Sequence, residues 1–459
     1  MRRRFAIVRI RTIGVSGPEW PRISFPAREP RHARPPAGEA DPPRRRRGAG
    51  AARLPQSRLR VWIRLADSIA YLDRAHWDAL AGSQSFFLSR PYLEVLERHG
   101  PENLRPRYAL VYRGHEPLAA VAAQIVELSA DRVAACAAAS PAGAPGPGLK
   151  RLLSGAVRKL KRCAIGHVRV RGIVCGNLLS WGAGVALAPG GDPTPLWQAA
   201  GEALYRIRRA EKLSGQTSFA MVKDLPVDDK AAAGVLERLS YRRVPNEPGM
   251  VLALDPGWRR FEDYLAGLQS RYRRAALRIM EECEEAGCRA ECLDVAGVRE
   301  HAEALHALYL QVEARATLRG VTIPPEYLPA LADAAGENFR CTVIRCGNSI
   351  RGFVTTVRDG DEAVGYVLGY DREANSKMPV YFRLLQVTVA DAIAMGCRRL
   401  SLGRTALEPK ARLGARPVPL DIWVRHRNPL LNVLVRPLLS AVPHDEAPER
   451  SPFKALSPK

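Results

Sequence analysis

Residues 369–419 read GYDREANSKMPVYFRLLQVTVADAIAMGCRRLSLGRTALEPKARLGARPVP, a run in which strand, helix and turn signals follow one another closely. It opens on Gly369-Tyr370-Asp371, which closes an apolar strand, VGYVLGY (Val364–Tyr370). Ser376 stands where an N-cap would start a helix running to Gly396, with Val380, Leu384, Val387 and Ile393 on its core face. A short apolar strand follows, RRLSLGRT (Arg398–Thr405), then a short helix, and LDIWVRH (Leu420–His426) supplies a last strand. Past Gly403 come Arg404, Lys410, Arg412 and Arg416, with Glu408 as the carboxylate among them. So many cations at the end of a buried strand predict the mouth of a site for an anionic substrate.

Upstream, Arg299–Ala316 reads as an amphipathic helix with Ala302, Leu305, Leu308 and Val312 on one face. Three antiparallel strands come next, joined at Cys346–Ser349 and Asp359–Glu362. The order is helix, meander, helix, strand, helix, strand. The first half echoes it twice. RYALVYRGHEPLAAVAAQIVEL (Arg107–Leu128) matches RCTVIRCGNSIRGFVTTVRDG (Arg340–Gly360), with Gly114 and Gly347 at equivalent turns. RLSYRRVP (Arg238–Pro245) matches RLGARPVP (Arg412–Pro419), each after one strand and before another, MVLAL (Met250–Leu254) in the first half. The offsets differ, so the first copy carries an insertion; Ala134–Gly148 and the basic run Arg151–Arg162 are the candidates.

The block Gly369–Pro419 resembles the CelD/BcsL-type branch of the GNAT acyltransferase superfamily. It is also similar to the FemAB-type peptidyltransferases, built from two such domains in tandem. Gly369, Tyr370, Asp371, Gly403, Lys410, Leu413 and Gly414 match the pattern, while Ser401 stands where an acid is common. The resemblance implies an α/β (α+β) fold of tandem GNAT-like domains, each a mixed, mostly antiparallel sheet flanked by helices. The expected boundaries are a disordered basic tail at 1–60, an N-terminal domain at 61–254, a C-terminal acyltransferase domain at 255–429, and an apolar segment and tail at 430–459.

It further implies acyl transfer to an amino or hydroxyl group of a sugar, cell-envelope precursor or small polar acceptor. The donor would be acyl-CoA, bound between the third strand of the meander and RRLSLGRT, with the following helix offering N–H groups to its phosphates. Such chemistry needs a base, an oxyanion donor and an acid for the leaving group. Asp371 and Glu408 are the candidate bases, and Tyr370 and Tyr381 the candidate acids. Arg404, Lys410 and Arg412 are the candidate anion-binding residues, and Asn375, Ser376 and Lys377 would meet the donor. Each has a plainer reading: Asp371 as a turn residue, Glu408 as a first-turn helix acid, Tyr381 as core, Arg404 in a surface ion pair. DREANSKMP (Asp371–Pro379) lacks the glycines of an acetyl-CoA phosphate loop. Aminoacyl-tRNA is therefore a rival donor, and a non-catalytic binding module a rival role.

The chain has 459 residues and a net charge of +23. Residues 1–60 hold 16 arginines, four acids and nine prolines, a composition that cannot bury enough apolar surface to fold. Nine cysteines occur without a Cys-x-x-Cys pair, which argues against zinc and for reduced thiols in the cytoplasm. No run approaches the ~18–20 apolar residues of a membrane span. Arg271, Arg274 and Arg278 share a helical face that suits tRNA or plain solvation. PLLNVLVRPLL (Pro429–Leu439) reads as a helix docked on the domain or resting on the inner face of a membrane. Gly-x-Ser-x-Gly, Walker and His-Glu-x-x-His motifs are missing, so hydrolase, NTPase and metalloprotease readings lack support.

Overall fold

The computed structural model describes residues 61–129, 169–314, 320–439 and 448–454. The basic tail and both insertion candidates lie outside the described residues. Two mixed sheets organise the rest. Sheet A runs β1 (Val61–Ala66), β2 (Leu104–Arg113), β3 (Glu116–Ser129), β4 (Arg169–Cys175), β6 (Phe219–Pro226), β15 (Leu420–His426) and β7 (Arg242–Pro245), with β5 (Val185–Leu187) beside β3. Sheet B runs β9 (Cys288–Leu293), β10 (Phe339–Cys346), β11 (Ser349–Asp359), β12 (Glu362–Tyr370), β13 (Arg399–Ser401), β8 (Gly249–Ala253) and β14 (Arg416–Val418).

Read in parallel, the two orders are one topology. An antiparallel three-strand edge leads to a parallel pair, β4 with β6 and β12 with β13, and then to two further antiparallel strands. Both sequence echoes fall on equivalent places, the β2–β3 and β10–β11 turns and the entries to β7 and β14. The insertion falls between β3 and β4, where the second copy has a tight turn at Gly360.

One feature departs from the boundaries at 254 and 429. The last strand of each half sits in the sheet of the other. β8 joins sheet B between β13 and β14, and β15 joins sheet A between β6 and β7. Strand patterning specifies which faces are apolar, and both strands have apolar faces that either sheet would accept.

Helices complete the layers. The longer ones are α1 (Arg90–His99), α2 (Pro193–Ala210), α3 (Lys230–Arg238), α4 (Phe261–Gly267), α5 (Ser270–Glu285), α6 (Val295–Glu300), α7 (Ala302–Glu313), α8 (Tyr327–Ala335), α9 (Arg372–Lys377), α10 (Val380–Ala394), α11 (Leu407–Arg412) and α12 (Pro429–Leu439). α2 and α3 cover one face of sheet A through Trp197, Leu204, Ile207, Val235 and Leu236. α4, α5 and α10 cover one face of sheet B. Between the sheets lies a shared core, where α1 supplies Tyr92, Leu93 and Leu96 and α8 supplies Tyr327, Leu328 and Leu331.

The helix expected at Arg299–Ala316 is broken at His301 into α6 and α7, and residues 315–319 lie outside the description. The expectation that the cysteines stay reduced needs correction. Cys288 and Cys346 face each other across β9 and β10, 4.1 Å apart at Cα, and form a disulfide. The other described cysteines are free.

Candidate active site

β12 and β13 pair in parallel only from Glu362–Val364 against Arg399–Ser401, and then part. At the same level β12 bulges. Val354 faces Leu368 and Thr356 faces Gly365, so Thr355 alone opposes both Tyr366 and Val367. The fully buried Thr355 hydroxyl closes the bulge, accepting from the Val367 N–H at 2.9 Å and donating to its C=O at 3.1 Å. Tyr366 has no ladder partner on either neighbouring strand. Its hydroxyl enters the shared core, 2.6 Å from that of Tyr327 and 3.0 Å from that of Tyr92. Asn177 of the first domain donates to Tyr92 as well. A β-carbon on Gly369 would lie 2.4 Å from the Tyr309 backbone nitrogen, so only glycine lets α7 approach β12 this closely.

The strand end feeds two helices instead of one. Asp371 caps α9 by accepting from the Glu373 and Ala374 N–H groups, and it pairs with Arg351 at 2.8 Å. Burial raises its pKa, but these three partners outweigh burial and hold the carboxyl below the usual range. Ser376 does not cap the long helix: its hydroxyl bonds the Glu373 carbonyl within α9. Asn375 takes the capping role, its Oδ1 accepting from the Tyr381 N–H at 2.8 Å. Lys377 pairs with Glu373 on the exposed side. Pro379 interrupts the run between α9 and α10.

Tyr381, in the first turn of α10, lies 5.7 Å from Tyr370 between ring centroids. Burial, then the Tyr370 neighbour, pushes its phenol up to about 12. An open groove of about 990 Å³ brings Tyr370, Asp371, Asn375 and Ser376 together against Leu310 and Gln311 of α7.

The cations at the end of β13 divide into two groups. Gly403, at φ +81°, turns the chain out of the strand. Arg404 does not stand free in a cleft. Its guanidinium pairs with Asp224 of β6 and lies 5.5 Å above the Trp181 ring. Asp224 and Lys223 form a bulge of their own opposite Ile422, both side chains almost fully buried and in contact, with Lys223 also donating to the Ser180 carbonyl at 2.6 Å. Lys410 is buried too. It donates to the Thr405 carbonyl, and burial lowers its pKa to about 8, with Glu247 acting the other way.

Glu408 and Arg412 face outward as an ion pair at 2.9 Å, with Arg450 at 3.0 Å on the same carboxylate. Those hydrogen bonds, Arg412 first, pull the Glu408 pKa down, opposite to what a base requires. The structure thus brings Tyr370, Asp371, Asn375 and Ser376 to one groove, sets Tyr381 beside Tyr370, and leaves Glu408 and Arg412 on the surface.

Sequence reading passed over Lys223, Asp224, Trp181 and the tyrosine triad. A Lys-Asp pair inside the apolar strand FAMVKDLP was the available signal. Among the described residues no three His, Cys, Asp or Glu side chains are grouped to hold a metal.

Residues 270–411 match the family model described as an acetyltransferase (GNAT) domain. Searching curated proteins finds no match. Among solved structures, FemX is similar at 11% identity and TM-score 0.48, covering 80% of this chain and 98% of its own. A tandem GNAT protein from the clavulanic acid biosynthesis pathway is similar at 13% identity and TM-score 0.45, covering 81% and 99%. L-PGS from Bacillus licheniformis is similar at 12% identity and TM-score 0.41, covering 76% and 95%.

Proposed function

Taking residues 270–411 as a GNAT acyltransferase domain, we propose that the second domain transfers an acyl group to an amino or hydroxyl group of a polar acceptor, with acyl-CoA as donor. The observation that carries the reading is the parting of β12 from β13 beside the Tyr366–Val367 bulge. The Val367 N–H is taken by Thr355, but a carbonyl lodged there would lie beside Tyr366, whose backbone has no ladder partner, and an N–H so placed is the kind of donor that stabilises a tetrahedral oxyanion.

Tyr381 would return a proton to the leaving thiolate, a role its raised pKa suits because the phenol stays protonated at neutral pH. Asp371 orients the α9 turn rather than taking a proton, since three hydrogen bonds engage its carboxylate and hold its pKa low. Lys410, still mostly charged at neutral pH, offers a cation near the end of β13. A sugar or cell-envelope precursor fits as acceptor class by family resemblance alone.

A second reading, transfer from aminoacyl-tRNA, is favoured by one observation. α9 fills the place of a glycine-rich phosphate loop, and Asn375 already occupies the Tyr381 N–H. A CoA pyrophosphate would then depend on Arg372 and Lys377 rather than on a helix start.

A thermal-shift panel of acyl-CoAs decides between them. At about 100 times its dissociation constant a donor stabilises by about 2.7 kcal/mol. A shift with one acyl-CoA supports the first reading. No shift with any, alongside salt-sensitive retention of charged tRNA, replaces it with the second.

A further inference from the structure

Helix α12 is fastened to sheet A by its polar side. Asn432 is buried, accepting from the His426 N–H at 2.8 Å and donating to the Ser240 carbonyl at 2.9 Å. At 3.6 residues per turn, the opposite stripe carries Leu430, Leu434 and Pro437, with Leu431 and Val433 at its shoulders. Leu430 is 79% exposed and Val433 61%. The helix therefore turns an apolar face outward, the reverse of a surface helix in a solvated domain.

Arginines surround this helix. Arg425 and Arg427 lead into the helix, Arg208 of α2 stands close to both, and Arg436 is exposed one turn beyond Asn432, on the docked side of the helix. Burial, then the charges of Arg425 and Arg427, lower the Arg208 pKa. Among the described residues none of the four has an ion-pair partner. Eleven residues fall well short of the ~20 needed to cross a bilayer. Pairing this face with a second copy about a two-fold axis would set arginine against arginine.

We propose that α12 docks on an anionic lipid surface, its leucines entering the boundary between headgroups and acyl chains while the arginines meet lipid phosphates. Apolar burial and surface charge each strengthen such contact. The inference is independent of the acyl-transfer reading.

The test is vesicle flotation of the full chain, using phosphatidylcholine vesicles with or without an equal share of phosphatidylglycerol. Wild type should float with the anionic vesicles and lose binding as salt rises. Leu430→Glu with Leu434→Glu should weaken binding roughly tenfold or more, and Arg425→Ala with Arg427→Ala about tenfold. Both positions in the first pair are exposed, and circular dichroism would confirm that each variant folds. Binding unchanged by both pairs would mean that other cations, such as those of residues 1–60, hold the vesicles, and would overturn the proposal. So would failure of wild type to float, or a dimer that the Leu430→Glu, Leu434→Glu variant converts to monomer without any vesicle binding.

Discussion

Lys410 illustrates how burial sets the behaviour of a single side chain here. An ordinary lysine holds its proton to about 10.5, but this one releases it near 8 in the folded state. The unfolded chain thus binds more protons between those values, so Lys410 penalises folding below about pH 8 and ceases to do so as pH rises towards 10.5. The penalty is on the order of 3 kcal/mol. Lys410→Met should be more stable than wild type at pH 7 by roughly that amount, with the two converging towards pH 10.5 in urea titrations. Parallel curves across that range would show that the amine is not strained. Tyr381 is the complementary case. Tyr381→Phe keeps the ring packing and removes the proton, so kcat should fall by roughly 10²–10⁴-fold with a much smaller change in KM. An undiminished kcat would remove the phenol from the chemistry. The side chains flanking the site were partly legible. Tyr370 and Asp371, picked as strand-end residues, line the groove, and Tyr381, picked as a first-turn residue, lies beside Tyr370. Arg404 and Glu408 were placed in the cleft because sequence shows their charge but not their partners, Asp224 lying 180 positions away in numbering.

At the scale of elements, the repeat was readable and the exchange was not. Apolar alternation and the turn glycines, Gly114 and Gly347, report each hairpin locally. Which sheet receives β8 or β15 depends on pairings that leave no local mark, since both strands present the residues any central strand presents. The disulfide escaped for the same reason, its cysteines being 58 residues apart. The long helix was found but its start was misplaced, because Ser376 is a good cap by type while Asn375 holds the position from which its carbonyl reaches Tyr381. The exchange has a direct consequence. Residues 255–429 expressed alone lack β8, which separates β13 from β14, and keep β15 without its sheet. That fragment should show no cooperative thermal transition by circular dichroism. A native-like spectrum with a sharp transition would mean that β8 contributes little to sheet B.

Over the whole molecule, five layers alternate, helices outside each sheet and a shared helical core between them. The two copies approach each other through that core, where Asn177, just past β4, and Tyr366 of the bulged β12 both reach the Tyr92 hydroxyl. The Arg404–Asp224 pair makes a second link, from the end of β13 to the bulge of β6. In the first copy, Lys223 reaches across Gly176, the residue at which β4 leaves β6, whereas the second copy places Leu402 at the matching position. That asymmetry favours the proposal that the second copy carries the chemistry and the first supports it. Hydrogen exchange of the full chain with and without donor, acyl-CoA or aminoacyl-tRNA, tests this assignment most directly. Exchange should slow at Gly365–Leu368 and Ser401–Gly403, with Gly172–Gly176 unchanged. Protection confined to the first copy, or a well-folded chain in which neither donor alters exchange at the parting of β12 and β13, would contradict it.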